Sequence, residues 1–355
     1  MTQPARTFNI AVIPGDGIGR EVIPAGVAAL HAATRGSGAT LAFTEFDWGC
    51  DYYIEHGRMA PEDGLEQLAA FDAIYLGAIG APAVPDRLSA AIILAIRQRF
   101  DQYVNLRPMR LLAGVSSPLA NRSMRDIDMI CVRENSEGEY AGVGGRIHAG
   151  TPLEVAQQTG VFTREGVERI LRYAFELARR RPRKMLASAT KSNALTHSMV
   201  LWDEVAEIVR KDFPTVDYRK YHVDALAARM ITHPQTLDVI VASNLFGDIL
   251  TDIGSAISGS LGIAPGANIN PSRAHPSMFE PIHGSAPDIA GQGIANPIGA
   301  VWAGALMLDH LGRPDLHDRI IAALERVVAG GKVRTPDLGG TATTSQVSDA
   351  VVGEI

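Results

Sequence analysis

The sequence predicts an α/β fold organised around a largely parallel sheet, and three features carry that expectation. Short apolar runs such as Val239-Ile240-Val241-Ala242 are β-branched throughout and suit strands buried on both faces. Segments with helical periodicity alternate with these runs, the pattern of strand–helix units. Polar, chemistry-bearing residues follow directly after several of the runs, where open α/β sheets bind their ligands.

Taken in order, Phe8–Ile13 reads as a strand and Glu21–Ala33 as a helix, joined by Pro14-Gly15-Asp16-Gly17-Ile18-Gly19. The third glycine of a G-x-G-x-x-G dinucleotide fingerprint would fall at Arg20, so the joint is read as a tight turn that needs glycine. Glu62–Ala70 is expected to be helical and to feed a strand at Ala73–Leu76. A helix from about Ser89 to Tyr103 carries Arg97, Asn105-Leu106-Arg107-Pro108 carries a second arginine, and Arg133 follows the apolar strand Met129–Val132. A lone arginine is usually a solvated surface group, but three so placed can form a clamp of bidentate forks for a polycarboxylate.

Glu134–Arg146 is rich in glycine and includes Tyr140, and Thr163–Arg180 has the apolar stripe of an amphipathic helix. A strand at Lys184–Ser188 leads to Thr190-Lys191-Ser192-Asn193 and a helix through about Lys211. Lys191 reads plainly as a surface lysine; with its amine desolvated it would be an acid/base group. Val216–Tyr221 alternates like a strand, and His222-Val223-Asp224 opens a short helix in which His222 reads as a packed, hydrogen-bonded histidine. After Val239–Ala242, Asp248 and Asp252 stand four residues apart, which on a helix stacks two carboxylates on one face. Such a pair repels unless something cationic lies between, and a hard divalent ion fits. The loop His283-Gly284-Ser285-Ala286-Pro287-Asp288-Ile289-Ala290-Gly291 lets backbone N–H groups approach a phosphate, with Asp288 free to accept from a ribose hydroxyl. Asn296–Leu311, Asp315–Ala329 and Ser345–Ile355 read as closing helices.

The 355 residues suffice for about two domains at ~150 residues each. With 46% hydrophobic and 20% charged residues the composition is that of a soluble globular protein. A net charge of −6 argues against nucleic-acid binding, so an anionic substrate must be caught by local arginines. Two cysteines, Cys50 and Cys131, have no metal or redox spacing and point to a reducing cytoplasm. No apolar segment is long enough to suggest a membrane span or a secretory signal, so no membrane partner is expected.

In sequence order, Pro14–Glu21, Asn105–Pro108, Val132–Tyr140, Thr190–Asn193, Tyr221–Asp224, Ser243–Asp252 and Glu280–Pro297 resemble one family across essentially the whole chain. It is the metal-dependent β-decarboxylating dehydrogenases, the isopropylmalate/isocitrate dehydrogenase superfamily. FDQYVNLRP, VRENSEGEYAGVGGR, PRKMLASATKSN and DIAGQGIANPIG look most like its tartrate/D-malate branch. The resemblance implies an isopropylmalate/isocitrate dehydrogenase-like fold: two α/β domains sharing a large twisted mixed sheet, with the active site in the interdomain cleft. It implies a cofactor-binding domain of residues 1–102 plus 259–355. A second domain, 103–258, would hold the dimer interface and a clasp arm near 141–160. It further implies a homodimer with shared active sites, NAD, and Mg²⁺ or Mn²⁺, with a monovalent cation as a further candidate ligand.

By the same resemblance, Arg97, Arg107 and Arg133 bind the carboxylates of a hydroxy-dicarboxylate substrate. Asp248 and Asp252, with Asp224 of the partner subunit, hold the metal. Lys191 takes the hydroxyl proton and Tyr140 protonates carbon 3. His283, Gly284, Ser285, Ala286, Asp288 and Asn296 line the adenosine side of the cofactor, and Asn193 the nicotinamide side. The helix before Arg97 departs from the family's patterns, having Ala90, Ala91 and Ile93 at its selective positions. The missing polar side chains argue against isocitrate, whose third carboxylate would be unpaired; D-malate, tartrate and an alkylated malate stay open. The alternatives are a 3-isopropylmalate dehydrogenase of leucine biosynthesis and, in another class, a non-catalytic regulatory subunit on the same fold. The complete set of acids, base and arginines speaks against the last.

Overall fold

The computed structural model describes residues 6–355. In chain order the elements are β1 (Arg6–Gly15), α1 (Gly19–Thr34), β2 (Ala39–Glu45), α2 (Cys50–His56), α3 (Gly64–Leu68), β3 (Ala73–Ala78) and α4 (Asp86–Arg99). Next come β4 (Val104–Arg110), β5 (Asp128–Glu134), β6 (Gly138–Ile147), β7 (Val155–Val161), α5 (Arg164–Arg180), β8 (Met185–Thr190) and α6 (Ser198–Val209). Then follow β9 (Asp217–His222), α7 (Val223–Thr232), β10 (Val239–Ala242), α8 (Asn244–Ile257), β11 (Pro265–Ile269), β12 (Ser277–Pro281), α9 (Ile298–His310), α10 (Pro314–Gly330) and α11 (Thr344–Glu354).

By backbone proximity the chain divides into two compact units. The first comprises the described residues up to Gln102, Leu111–Ala120 and Ser255–Ile355. Its strands run in the order β2-β1-β3-β12-β11, parallel except for the antiparallel β11–β12 pair. Ile10, Ile13, Ile74 and Met278 are fully buried on these strands, which explains their lack of period-2 alternation: both faces are covered. Helix α9 is buried along almost its whole length, as a helix that is apolar all round must be.

The second unit comprises Tyr103–Arg110 and Asn121–Gly254. Its strands run β4-β5-β10-β8-β9, with β4–β5 antiparallel and the other pairs parallel. Val239, Ile240, Val241 and Ala242 of β10 are wholly buried, as their composition requires. Trp202 and Phe175 fill the core beside them, and the Trp202 indole N–H donates to Ser188 Oγ at 2.9 Å. The hairpin β6–β7 forms a separate two-stranded sheet that exposes Val143, Ile147, Leu153 and Val155.

Several expected elements differ in extent. The helix expected over Glu62–Ala70 contracts to the single turn pair of α3, and the helix after Asn193 begins only at Ser198. Between them and their strands the chain turns through hydrogen bonds such as Ala194 N–H to Lys191 O at 2.9 Å. Asn105–Pro108 lies within strand β4, where Pro108 pairs with Ile130. Strands β2, β11 and β12, the hairpin and helix α2 carry no local signal strong enough to be read: they are short, and glycine, proline or polar residues interrupt them. Among the described residues no helix is long and apolar enough to cross a membrane.

At the end of α9, His310 packs its ring against Phe279, with centroids 5.6 Å apart, and shares a hydrogen bond with Ser277 Oγ at 3.0 Å. Burial, and secondarily the charge of Arg273, pull its pKa down to about 4. The folded state therefore holds a neutral imidazole where the unfolded chain binds a proton. Stability from this group is complete above pH ~6.5 and is lost as the pH falls toward 4, on the order of 3 kcal/mol in all. Urea midpoints measured from pH 7 to 4 should fall less steeply for His310→Gln than for the parent; parallel curves would contradict this.

Candidate active site

Strand β10 ends at Ala242 and α8 begins at Asn244, so Asp248 and Asp252 occupy successive turns of one helix face. Arg133 sits at the carboxyl end of β5, opposite Asn105 of β4, and Arg107 lies two residues further along β4. Neighbouring strands thus aim two arginines at one helix.

Their partners are specific. Arg133, 2% exposed, donates from Nε and Nη2 to the Asn244 amide oxygen at 3.1 and 2.7 Å, and from Nη1 to Asp248. Arg107 donates to Thr251 Oγ1 at 2.8 Å, and its Nη1 lies 3.8 Å from Asp248 Oδ1. The Tyr140 hydroxyl donates to the other oxygen of Asp248 at 3.0 Å, and the Arg133 guanidinium lies 5.6 Å from the Tyr140 ring centre. Burial, reinforced by the Asp248 charge, raises the Tyr140 pKa and keeps the phenol protonated. Asn244 is itself held, donating to Glu137 O at 3.0 Å. Gly247 makes room for this arrangement: a Cβ there would lie 2.6 Å from Arg133 Cγ.

Asp252 remains on the exposed side of α8. Partial burial and the Asp248 charge raise its pKa, against the pull of Arg107 and Arg133. A divalent cation would offset that repulsion, and the donor set, two hard carboxylates one helical turn apart, fits Mg²⁺ or Mn²⁺. Within one chain, and among the described residues, no three acidic, histidine or cysteine side chains converge on a metal position. Asp224 stands elsewhere in this unit, accepting from Lys191 Nζ at 2.7 Å, a contact that lowers its pKa. Lys191 follows β8 directly, and Asn193 lines a hollow of about 770 Å³ with Ser192, Arg164 and His222. His222 borders this hollow and is exposed, so it is not the packed histidine that its sequence context suggests.

The remaining site residues belong to the first unit. Arg97, in the last turn of α4, pairs with Glu280 of β12 at 3.1 Å. The turn Gly15–Gly19 grips the loop expected to bind cofactor: Ile18 N–H donates to Ser285 O at 2.9 Å. Gly17, at φ +52°, has no room for a side chain, since a Cβ would meet Ser285 O at 2.1 Å. The loop carries Gly284, Ser285 and Ala286, and Asp288 stands exposed. The His283 ring is partly buried, which lowers its pKa; its Nδ1 shares a hydrogen bond with Gly284 O at 3.0 Å, and its buried Nε2 has no hydrogen-bond partner. That orphaned nitrogen suits a ligand bearing donors and acceptors, as the adenosine of NAD does. Asn296 is committed to the fold: it donates to Asp337 at 2.9 Å and accepts from Ile298 N–H at 3.0 Å, at the start of α9.

Asn244, Thr251 and Glu280 escaped the sequence reading, although each holds one of the three arginines. Asn244 and Thr251 could have been found, lying one turn either side of Asp248 on α8. Glu280 offers no such local cue.

Acids and arginines presented at strand-to-helix junctions of α/β units are the arrangement of a ligand-binding α/β enzyme fold. A family model for isocitrate/isopropylmalate dehydrogenase matches residues 9–351, and the chain belongs to that family. It is 55% identical over 354 residues to the D-malate dehydrogenase [decarboxylating] of Escherichia coli K12, covering 98% of each chain. It is 53% identical over 357 residues to the tartrate dehydrogenase/decarboxylase of Pseudomonas putida, again covering 98% of each. The crystal structure of isocitrate dehydrogenase from Methylococcus capsulatus superposes with a TM-score of 0.88 at 35% identity, covering 98% of this chain and 99% of that one.

The space at Gly247 gives a direct test of the packing around Arg133. Gly247→Ala should lower the urea midpoint by the equivalent of roughly 1–3 kcal/mol, the usual penalty of overpacking. A neutral substitution would mean that Arg133 has slack not evident here.

Proposed function

We propose that the chain catalyses the NAD-dependent oxidation, with β-decarboxylation, of a (2R)-malate-like 2-hydroxy dicarboxylic acid, D-malate or tartrate. The observation that carries this reading is the cluster of Arg107, Arg133 and Tyr140 around Asp248, one turn from Asp252. It combines carboxylate-gripping cations, hard metal-binding oxygens and a protonated phenol. The names of the E. coli and P. putida relatives supply the substrate class.

When bound, Mg²⁺ or Mn²⁺ supplies Lewis acidity toward the substrate's hydroxyl and carbonyl oxygens, and NAD accepts the hydride. Asp248 and Asp252 would hold the metal together with Asp224 of the partner subunit. Asp248 retains oxygen lone pairs for this role beyond those engaged by Arg133 and Tyr140. Arg97, Arg107 and Arg133 would bind the substrate carboxylates. Lys191 accepts the 2-hydroxyl proton. Tyr140, kept protonated by its surroundings, delivers a proton to carbon 3 after CO₂ departs. His283, Gly284, Ser285, Ala286 and Asp288 receive the adenosine half of NAD, and Asn193 the nicotinamide half.

Lys191 and Asp224 pair with one another rather than with Asp248. This supports their joint donation to a second subunit's site in a homodimer. The exposed Val143, Ile147, Leu153 and Val155 on β6–β7 support a clasp between subunits. The free, buried Cys50 and Cys131 suit a cytoplasmic setting.

With NAD and Mn²⁺, D-malate or a tartrate isomer should give the highest kcat/KM among D-malate, L- and meso-tartrate, 3-isopropylmalate and isocitrate. A clear preference for 3-isopropylmalate would transfer the assignment to the leucine-pathway enzyme. Lys191→Ala should lower kcat by about 10²–10⁴-fold while leaving NAD binding within twofold. Asp248→Asn should weaken Mn²⁺ binding and turnover together. Mixed subunits of the two variants should regain activity, and complete silence of the mixture would refute shared sites.

A further inference from the structure

Asp288 stands exposed on a loop, and a loop fixes a contact only where something fixes the loop. Two hydrogen bonds brace the segment internally: Ala290 N–H donates to Ala286 O at 3.1 Å, and Gln292 Nε2 donates to Asp288 O at 2.8 Å. The braced turn is tied to the rest of its unit on both sides. At the near side Ile18 N–H donates to Ser285 O, and at the far side Gly291 N–H donates to Glu21 Oε1 at 2.6 Å. Further on, Thr344 N–H donates to Gly293 O at 2.8 Å, and Thr344 Oγ1 to Ala295 O at 2.6 Å. Of these ties, the one at Gly291 is made by a charged side chain, three residues from Asp288.

Glu21 lies in the first turn of α1, where the helix dipole favours a carboxylate. An aspartate would serve the helix equally well, so the dipole accounts for the charge but not for the longer side chain. The second oxygen, Oε2, is buried and has no hydrogen-bond partner among the described residues. Shielding a carboxylate oxygen without a donor costs stability. A group kept for stability alone would leave that oxygen in water. What the extra methylene provides is reach to the Gly291 amide.

We infer that Glu21 is a positioning residue for the cofactor, setting through Gly291 where Asp288 meets the adenosine ribose; this rests on the NAD-binding role proposed for the loop. A 2′-hydroxyl is recognised by a hydrogen bond of narrow geometry, which a small shift of the loop weakens. NADP, whose 2′-phosphate meets Asp288 with like charge, has no such contact to lose. The effect of Glu21 therefore falls on NAD affinity and on the preference for NAD over NADP.

Two substitutions in the full-length protein separate reach from charge. Glu21→Asp keeps the charge on α1 but falls short of Gly291; Glu21→Gln keeps the reach and an accepting oxygen but loses the charge. Each is made alone and together with Asp288→Ala. NAD and NADP affinities are measured by fluorescence titration, amide exchange over residues 289–293 by mass spectrometry, and melting temperatures for every variant. Glu21→Asp should raise the NAD Kd on the order of fivefold, the loss of about one hydrogen bond. It should move the NADP Kd less than twofold and speed exchange over residues 289–293. Its kcat at saturating NAD and its KM for D-malate should stay within twofold of the parent. Glu21→Gln should bind NAD within twofold of the parent and keep the exchange protection. In the Asp288→Ala background, Glu21→Asp should add less than twofold.

A defect in Glu21→Gln equal to or greater than that in Glu21→Asp would assign the effect to the charge on α1 and overturn the inference. So would equal losses of NAD and NADP affinity, or an undiminished effect in the absence of Asp288, either of which marks a merely structural role. A wild-type protein that binds no NAD would overturn the cofactor reading of the loop and this inference with it. A wild type that binds NAD and is indifferent to Glu21→Asp would overturn the inference alone.

Discussion

A guanidinium ion removed from water has to be met by oxygen atoms, and at Arg133 this requirement organises the second unit. The side chain is 2% exposed, and its charge is met by Asp248 and by the amide oxygen of Asn244, both on α8. Removing either partner would strand a buried charge, with a penalty of several kcal/mol for such groups. β5 and the first two turns of α8 are thereby bound in one geometry. Tyr140 and Arg107 reach the same carboxylate. The acid that the sequence marks as a metal ligand is thus also the keystone of its neighbourhood.

The first unit repeats the strategy with different parts. Arg97 is held by a carboxylate on a strand instead of a helix, and that strand runs directly into the loop that Gly17 clamps against the end of β1. In both units a charged group leaves a rigid strand or helix end and is fixed by a second polar group buried beside it. Pre-organisation of this kind lets a site bind carboxylates without reordering its own side chains.

Much of this was legible in advance where local pattern and local chemistry coincide. The strand Val239–Ala242, the amphipathic helix ending at Arg180, and the acid pair on α8 all follow from composition and spacing over a few residues. The tight turn at Gly15–Gly19 was expected for its glycines, although its work in gripping Ser285 was not foreseeable. β2, β12 and the β6–β7 hairpin stayed hidden because strands of five to ten residues broken by glycine, proline or charge resemble loops until a neighbouring strand pairs with them.

The sequence by itself determined the alternation of strands and helices, the family, and which arginines, acids, lysine and tyrosine were candidates for chemistry. Those are properties of spacing and residue type, and they survive without coordinates. Only the tertiary structure decided which groups meet. Arg133 finds Asp248 at a separation of 115 residues and Arg97 finds Glu280 at 183. Lys191 engages Asp224, and Asn296 is taken up between Asp337 and the Ile298 amide. No period or short motif encodes such pairings; chain crossovers and strand register bring distant side chains within hydrogen-bond reach.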